Sequence, residues 1–113
     1  MTRVNREDMI VISMGIDTLL EFVRHTEAWW RSRGDTAALR RTQELGNAIV
    51  TTRRKFFVDP SDSDLQVAEA LIIAKGLREA ARQCQEGQAA LHARLTGGAE
   101  VIERLCRSRE AQP

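Results

Sequence analysis

Residues 9–30 read MIVISMGIDTLLEFVRHTEAWW, and this stretch decides the fold class. Apolar side chains recur in it at alternating steps of three and four residues, the spacing that places side chains on one face of an α-helix packed against other helices. This face is the seam of the first helix, and it comprises Met9, Ile12, Ile16, Leu19, Val23, Thr26 and Trp30. The pattern predicts a first helix over about residues 6–33.

The residues on either side of this stretch match the two ends of a helix. Asn5 is a suitable N-cap, and the carboxylates of Glu7 and Asp8 lie at the positive end of the helix dipole. Gly34 is predicted to end the helix, as a glycine after the last turn commonly does. A second apolar line flanks the seam and makes the apolar arc wider than one partner helix covers. That line consists of Val11, Phe22 and Trp29, with Gly15 between.

A second helix is predicted over about residues 36–57, with Asp35 as its N-cap. Its seam keeps the steps of three and four residues but is thinner and more polar than the first. The members of this second seam are Ala38, Thr42, Leu45, Ile49, Thr52 and Phe56.

A third, longer helix is predicted over about residues 62–96. Two starts fit: Asp59 as N-cap followed by Pro60, or Ser63 as N-cap with Gln66 closing a capping box. The third seam comprises Val67, Ala70, Ala74, Leu77, Ala81, Cys84, Gln88, Leu91 and Leu95. The Gly97-Gly98 pair is expected to break this helix and to leave a short C-terminal helix over about residues 99–109. The alternative is a helix that continues through both glycines at a cost of roughly 1 kcal/mol each.

Composition agrees with a single all-α domain over residues 1–113. Hydrophobic residues make up 42% and charged residues 29% of the chain, and the net charge is +1. The longest wholly apolar run, Ala70 to Ala74, is too short for a membrane span, so no membrane partner is expected. The predicted helices would be roughly 40, 33 and 50 Å long. Because the third helix would be longer than the helices that pack against it, we expect an antiparallel helical bundle completed by homodimerisation.

No constellation of residues indicates catalysis, a cofactor or a metal. His25 follows Glu21 by one turn, but the chain has no Glu-x-x-His pair of the kind that builds metal sites in helical bundles. Cys84 and Cys106 are 22 residues apart and are interpreted as reduced packing residues, which favours a cytoplasmic protein. Gly97-Gly98 lacks the Lys-Ser/Thr that follows a phosphate loop. The sequence therefore predicts a protein that is not an enzyme.

Small and apolar residues beside the seams are candidates for self-association. Trp30 lies on the first seam and is expected in the core, whereas Trp29 points about 100° away and is a candidate for an interface or a partner. Small residues on the predicted third helix leave a shallow groove, which a neighbouring helix of the same chain, a dimer mate or a bound peptide would fill. The self-association candidates are Val11, Phe22, Trp29, Ile73, Gly76, Ala80 and Gly87.

Charge is distributed unevenly along the chain. Residues 31–55 hold seven basic and two acidic side chains, a balance of +5. On the predicted second helix Arg40, Asn47 and Arg54 recur every seven residues opposite the seam, and Arg41 lies beside them. This outer face is the candidate for binding phosphates or an acidic protein.

The sequence thus favours a non-catalytic helical interaction or regulatory module, with coiled-coil-like seams, that self-associates and binds a protein partner. The alternative is a nucleic-acid-binding accessory protein that uses the basic outer face of the second helix. The Arg- and Ala-rich composition suggests a bacterial or phage source.

Overall fold

Four α-helices make up the described part of the chain, residues 5–57 and 67–110 of a computed structural model. They are α1 (Arg6–Arg33), α2 (Thr36–Phe57), α3 (Val67–Arg82) and α4 (Ala89–Glu110), and the described residues contain no strand. The all-α class is confirmed. The two alternative starts of the predicted third helix, at Asp59 and Ser63, lie outside the described residues. No helix of the described part is long and apolar enough to cross a membrane.

The predicted ends of α1 and the predicted start of α2 are confirmed by their hydrogen bonds. The Asn5 side chain accepts a bond from the Asp8 backbone N–H at 2.8 Å. Gly34 has φ +70°, and the backbone N–H groups of Gly34 and Asp35 donate to the carbonyls of Arg31 and Trp30. This is the Schellman arrangement, which satisfies the carbonyls of the last turn. Asp35 then caps α2 by accepting a bond from the Ala38 N–H at 3.0 Å.

The prediction of one helix over residues 62–96 is wrong, because a turn at residues 83–88 divides α3 from α4. The N–H groups of Gln83 and Cys84 donate to carbonyls three residues back and end α3. Gly87 has φ +92°, a conformation that L side chains rarely adopt. The Gln88 side chain accepts a bond from the Gln85 N–H at 2.7 Å and closes the turn.

The expected break at Gly97-Gly98 is also wrong, because α4 continues through both glycines. A Cβ added to Gly15 of α1 would lie 3.0 Å from the Arg94 carbonyl oxygen and 3.2 Å from the Gly98 Cα. The backbones of α1 and α4 are therefore in contact, and the missing side chains at Gly15 and Gly98 allow that approach. The glycine at position 98 is therefore explained by the close packing of α4 on α1 and not by helix termination.

The core lies where α1 meets its neighbours. Its largest fully buried side chains come from α1, α3 and α4: Ile12, Ile16, Leu77, Leu95, Ile102 and Cys106. α1 contacts all three other helices, whereas α2 and α3 touch each other only slightly. Since α3 has 16 residues and spans roughly 24 Å, the 50 Å helix from which dimerisation was first inferred does not exist.

Within the described residues, four ion pairs join the helices to one another. Asp8 of α1 accepts from Arg104 of α4 at 2.6 Å, and Asp17 of α1 pairs with Arg53 of α2 at 3.2 Å. Lys55 of α2 pairs with Glu69 of α3 at 2.9 Å, and Arg78 of α3 pairs with Glu103 of α4 at 2.9 Å.

Candidate protein-interaction groove

An apolar groove of about 410 Å³ lies between α2 and α3, with α1 as its floor. It opens because α2 packs mainly on α1 and makes few contacts with α3. Its lining contains two charged residues, Lys75 and Glu79, and the other lining residues are apolar or uncharged. The lining residues are Leu19, Phe22, Val23, Thr26, Thr42, Leu45, Ile49, Ile72, Ile73, Lys75, Gly76, Glu79, Ala80 and Gln83.

The floor and walls of the groove are rigid parts of the core, and its rims are exposed apolar side chains. Leu19 of α1, Ile49 of α2 and Ile73 of α3 are all buried. On the rims, Leu45 of α2 is 49% exposed and Ile72 of α3 is 64% exposed. Large aliphatic side chains held open on both sides of a groove are typical of surfaces that accept an amphipathic helix.

Gly76 keeps the α3 wall low. A Cβ at this position would meet only the Leu19 Cδ2, at an ordinary 3.5 Å, so the space above Gly76 is open to the groove. One turn on, Glu79 pairs with Arg82 at 2.9 Å, in an exposed pair that exchanges partners at little cost. Lys75 has no carboxylate partner among the described residues.

Four of the seven self-association candidates line this groove: Phe22, Ile73, Gly76 and Ala80. Ile73 and Ala80 are buried among the chain's own helices, so only their edges reach the groove. Val11 lies elsewhere, with its Cγ1 3.6 Å from a Cβ built on Gly97. The placement of Gly87 on the helix beside them is wrong, because Gly87 lies in the turn between α3 and α4.

The predictions from the sequence did not include Ile72, which is the most exposed residue on the rims of the groove. A signal was present: Leu71, Ile72 and Ile73 are three consecutive apolar residues, and a helix seam buries only one or two of three neighbours. The seam on α2 was predicted to be thinner and more polar than that of α1, and it includes Leu45. The exposure of Leu45 depends on how far α3 lies from α2, which the seam does not show.

The two tryptophans lie at the end of α1 next to the Gly34 turn. The buried residues of α1 end at Val23, so Trp30 is only partly buried and its placement in the core is wrong. Trp29 is 53% exposed, and the Arg33 guanidinium carbon lies 3.6 Å from the centroid of its ring. This distance is within the range of a cation–π contact.

The basic outer face of α2 is exposed at each predicted position: Arg40, Arg41, Asn47 and Arg54. Asn47 also lines a second, polar crevice of about 410 Å³ between α1 and α2, which Arg24 and Glu27 of α1 and Gln43 of α2 also line. No pattern in the sequence indicates that Arg24 would line this crevice. It depends on the close packing at Gly46, where a Cβ would lie 3.2 Å from the Val23 Cγ1.

Titratable groups in the described residues form no cluster of three or more His, Cys, Asp or Glu that would hold a metal ion. The groups with a shifted pKa, Arg78 and Glu103, form the ion pair between α3 and α4. Hydrogen bonding from Arg78, opposed by desolvation, lowers the pKa of Glu103, and the same bond raises the pKa of Arg78.

The chain matches no family model, and neither a curated protein nor a solved structure is significantly similar to it.

Proposed function

We propose that the protein is a non-catalytic helical interaction module whose groove between α2 and α3 is filled by a second copy of the chain. The supporting observation is the groove itself, with Leu45 and Ile72 exposed on opposite rims. In water these two side chains leave apolar surface uncovered, and each buried Ile or Leu contributes roughly 1.5–3 kcal/mol. An antiparallel bundle completed by this dimer would cover both rims.

The charges on the α3 rim favour a second copy over an unrelated helix. Lys75 and Glu79 are one turn apart and carry opposite charges. In an interface with two-fold symmetry, residue i of one copy meets residue j of the other, and j meets i. Lys75 would therefore pair with Glu79 of the second copy in two equivalent places. Binding of a further protein partner would follow on surfaces that the dimer leaves free.

The first test compares two exposed isoleucines. Ile72→Gln removes a rim residue, whereas Ile10→Gln changes a residue of similar exposure, 52%, that does not line the groove. Light scattering of the parent protein at micromolar concentration should give about twice 12.7 kDa. Ile72→Gln should raise the dimer dissociation constant about tenfold or more, and Ile10→Gln should leave it unchanged.

A charge exchange tests the symmetry. Lys75→Glu and Glu79→Lys should each weaken the dimer, because each places like charges opposite one another. The double variant restores opposite charges at both places and should recover the parent affinity. A parent protein that stays at 12.7 kDa and unfolds cooperatively, or a double variant weaker than both single variants, would contradict the proposal.

Nucleic-acid binding by the outer face of α2 is a second candidate function. It is supported by Arg40, Arg41 and Arg54, which are exposed and have no carboxylate partner among the described residues. The triple variant Arg40→Glu, Arg41→Glu, Arg54→Glu leaves the seam of α2 intact. It should abolish binding of labelled duplex at low salt, and a parent protein that binds neither DNA nor RNA excludes this candidate.

A further inference from the structure

The turn between α1 and α2 carries an unusual concentration of unpaired cations. Arg31 and Arg33 precede Gly34, Arg40 and Arg41 follow it within two helical turns, and all four side chains are exposed. None of them has a carboxylate within ion-pair distance in the described part of the chain, whereas Arg53, Arg78 and Arg104 all do. The segment therefore carries four positive charges that no ion pair engages among the described residues.

The one acid in this segment is already engaged. Asp35 caps α2 through its bond from the Ala38 N–H, so its carboxylate serves the helix terminus. The segment from residue 29 to residue 41 thus holds four arginines against one aspartate. A ligand that complements this surface carries several negative charges in a row.

Trp29 adds an aromatic surface to these charges. Arg33 lies over one face of its ring at 3.6 Å, while 53% of the residue stays in contact with solvent. Trp29 is exposed, carries Arg33 on its ring, and belongs to a segment with three further arginines. Exposed aromatic rings and arginines in one segment are the combination that binds single-stranded nucleic acids, since bases stack on the ring and phosphates contact the guanidinium groups. An acidic peptide would use the arginines but has no need of the ring. In a duplex the bases stack on one another inside the double helix, so they are not free to stack on Trp29.

We infer that the α1–α2 turn, through Trp29, Arg31, Arg33, Arg40 and Arg41, binds single-stranded nucleic acid by stacking a base on Trp29. This inference deepens the second candidate function by naming a ligand class and a site. It is independent of the groove between α2 and α3, so the Ile72→Gln variant should bind the same oligonucleotide with unchanged affinity.

The two tryptophans provide a matched pair of reporters. In Trp30→Phe the only indole is Trp29, and in Trp29→Leu the only indole is Trp30. An oligothymidylate of about 12 nucleotides at low salt should quench the emission of Trp29 in the first variant. In the second variant the emission of Trp30 should change little, and the affinity measured by anisotropy of a labelled oligonucleotide should fall about tenfold or more.

Charge variants test the arginines. Four phosphate contacts on a single strand give a log–log salt slope of roughly −3, and Arg33→Gln with Arg41→Gln should reduce its magnitude by roughly 1.4. The control double variant is Arg6→Gln with Arg94→Gln, which removes two exposed arginines elsewhere that also lack an ion pair in the described residues. It should leave the slope and the Trp29 quenching almost unchanged.

Several results would overturn the inference. The first is that the protein does not bind oligothymidylate. The second is that a duplex of the same length, or polyglutamate, binds as tightly as oligothymidylate, in the case of the duplex without quenching Trp29. The third is that Arg6→Gln with Arg94→Gln loses as much affinity as Arg33→Gln with Arg41→Gln. Duplex binding without quenching would still leave the outer face of α2 as a phosphate-binding surface, which separates the two proposals. Circular dichroism of each variant would confirm that the helices are retained.

Discussion

Gly97 and Gly98 are neighbours in α4 but have different surroundings. A Cβ on Gly97 would meet the Val11 Cγ1 at 3.6 Å, which is an ordinary contact. A Cβ on Gly98 would lie 3.3 Å from the Gly15 Cα and 3.4 Å from the Leu77 Cδ1, and the Cα belongs to a backbone that has little room to move. A side chain would therefore fit at position 97 but would crowd α1 at position 98.

We predict that Gly97→Ala raises the free energy of unfolding by up to about 1 kcal/mol, because alanine favours the helix. Gly98→Ala gains the same helix propensity but crowds α1, and overpacking costs about 1–3 kcal/mol. Urea denaturation of the two variants should therefore place Gly98→Ala at least about 1 kcal/mol below Gly97→Ala. Equal stabilities would mean that α4 does not approach α1 at this glycine.

Among the helices, α1 and α2 were predictable from local signals, and the division of α3 from α4 was not. Asn5, Gly34 and Asp35 act through bonds to residues three to five positions away, so their role is visible in the sequence. Residues 83–88 include three glutamines and a glutamate, which fit a helix as well as a turn, and the seam spacing continues through them. The groove depends on the separation of α2 from α3, which no local sequence pattern contains.

The ion pair between α3 and α4 gives the fold a dependence on pH. Glu103 accepts bonds from the Arg78 guanidinium at 2.9 and 3.0 Å, and these bonds hold its pKa below the ordinary value. A carboxyl with a lower pKa in the folded state stabilises that state fully above its unfolded pKa of about 4.3, and the contribution is lost as the pH falls through the folded pKa.

We therefore predict that the melting temperature falls more steeply in the parent protein than in Glu103→Gln as the pH is lowered below about 4.3. Both side chains are partly exposed, so the difference will be modest and should shrink with added salt. Glu44→Gln is a suitable control, because Glu44 is exposed on α2, has no ion pair in the described residues and contributes to neither pKa shift of this pair. Identical pH profiles for Glu103→Gln and the parent would contradict the role of this pair.

At the scale of the molecule, α1 packs against all three other helices, and α3 and α4 also pack closely on each other. The partners that contact α1 most are α4 and α2, and the open groove lies between α2 and α3. The described residues extend over 49 × 30 × 20 Å. A second copy in the groove would cover the apolar surface that this arrangement leaves open.

If the groove is filled by a second copy, unfolding is coupled to dissociation, and the melting temperature rises with protein concentration. We expect this rise for the parent protein and for Ile10→Gln, and a smaller rise for Ile72→Gln. Scanning calorimetry over a wide range of concentrations would measure it. A melting temperature of the parent that is independent of concentration would argue for a monomer.

The contact between Gly15 and Gly98 also bears on how this sequence can diverge. Every substitution at either position adds volume where two backbones meet, whereas Ile12 or Ile102 can be exchanged for valine or leucine with modest loss. In a saturation mutagenesis experiment selected for folding, we expect these two glycines to accept fewer replacements than the large buried residues around them. Distant descendants of this chain would then keep the glycine pair after much of the aliphatic core has changed.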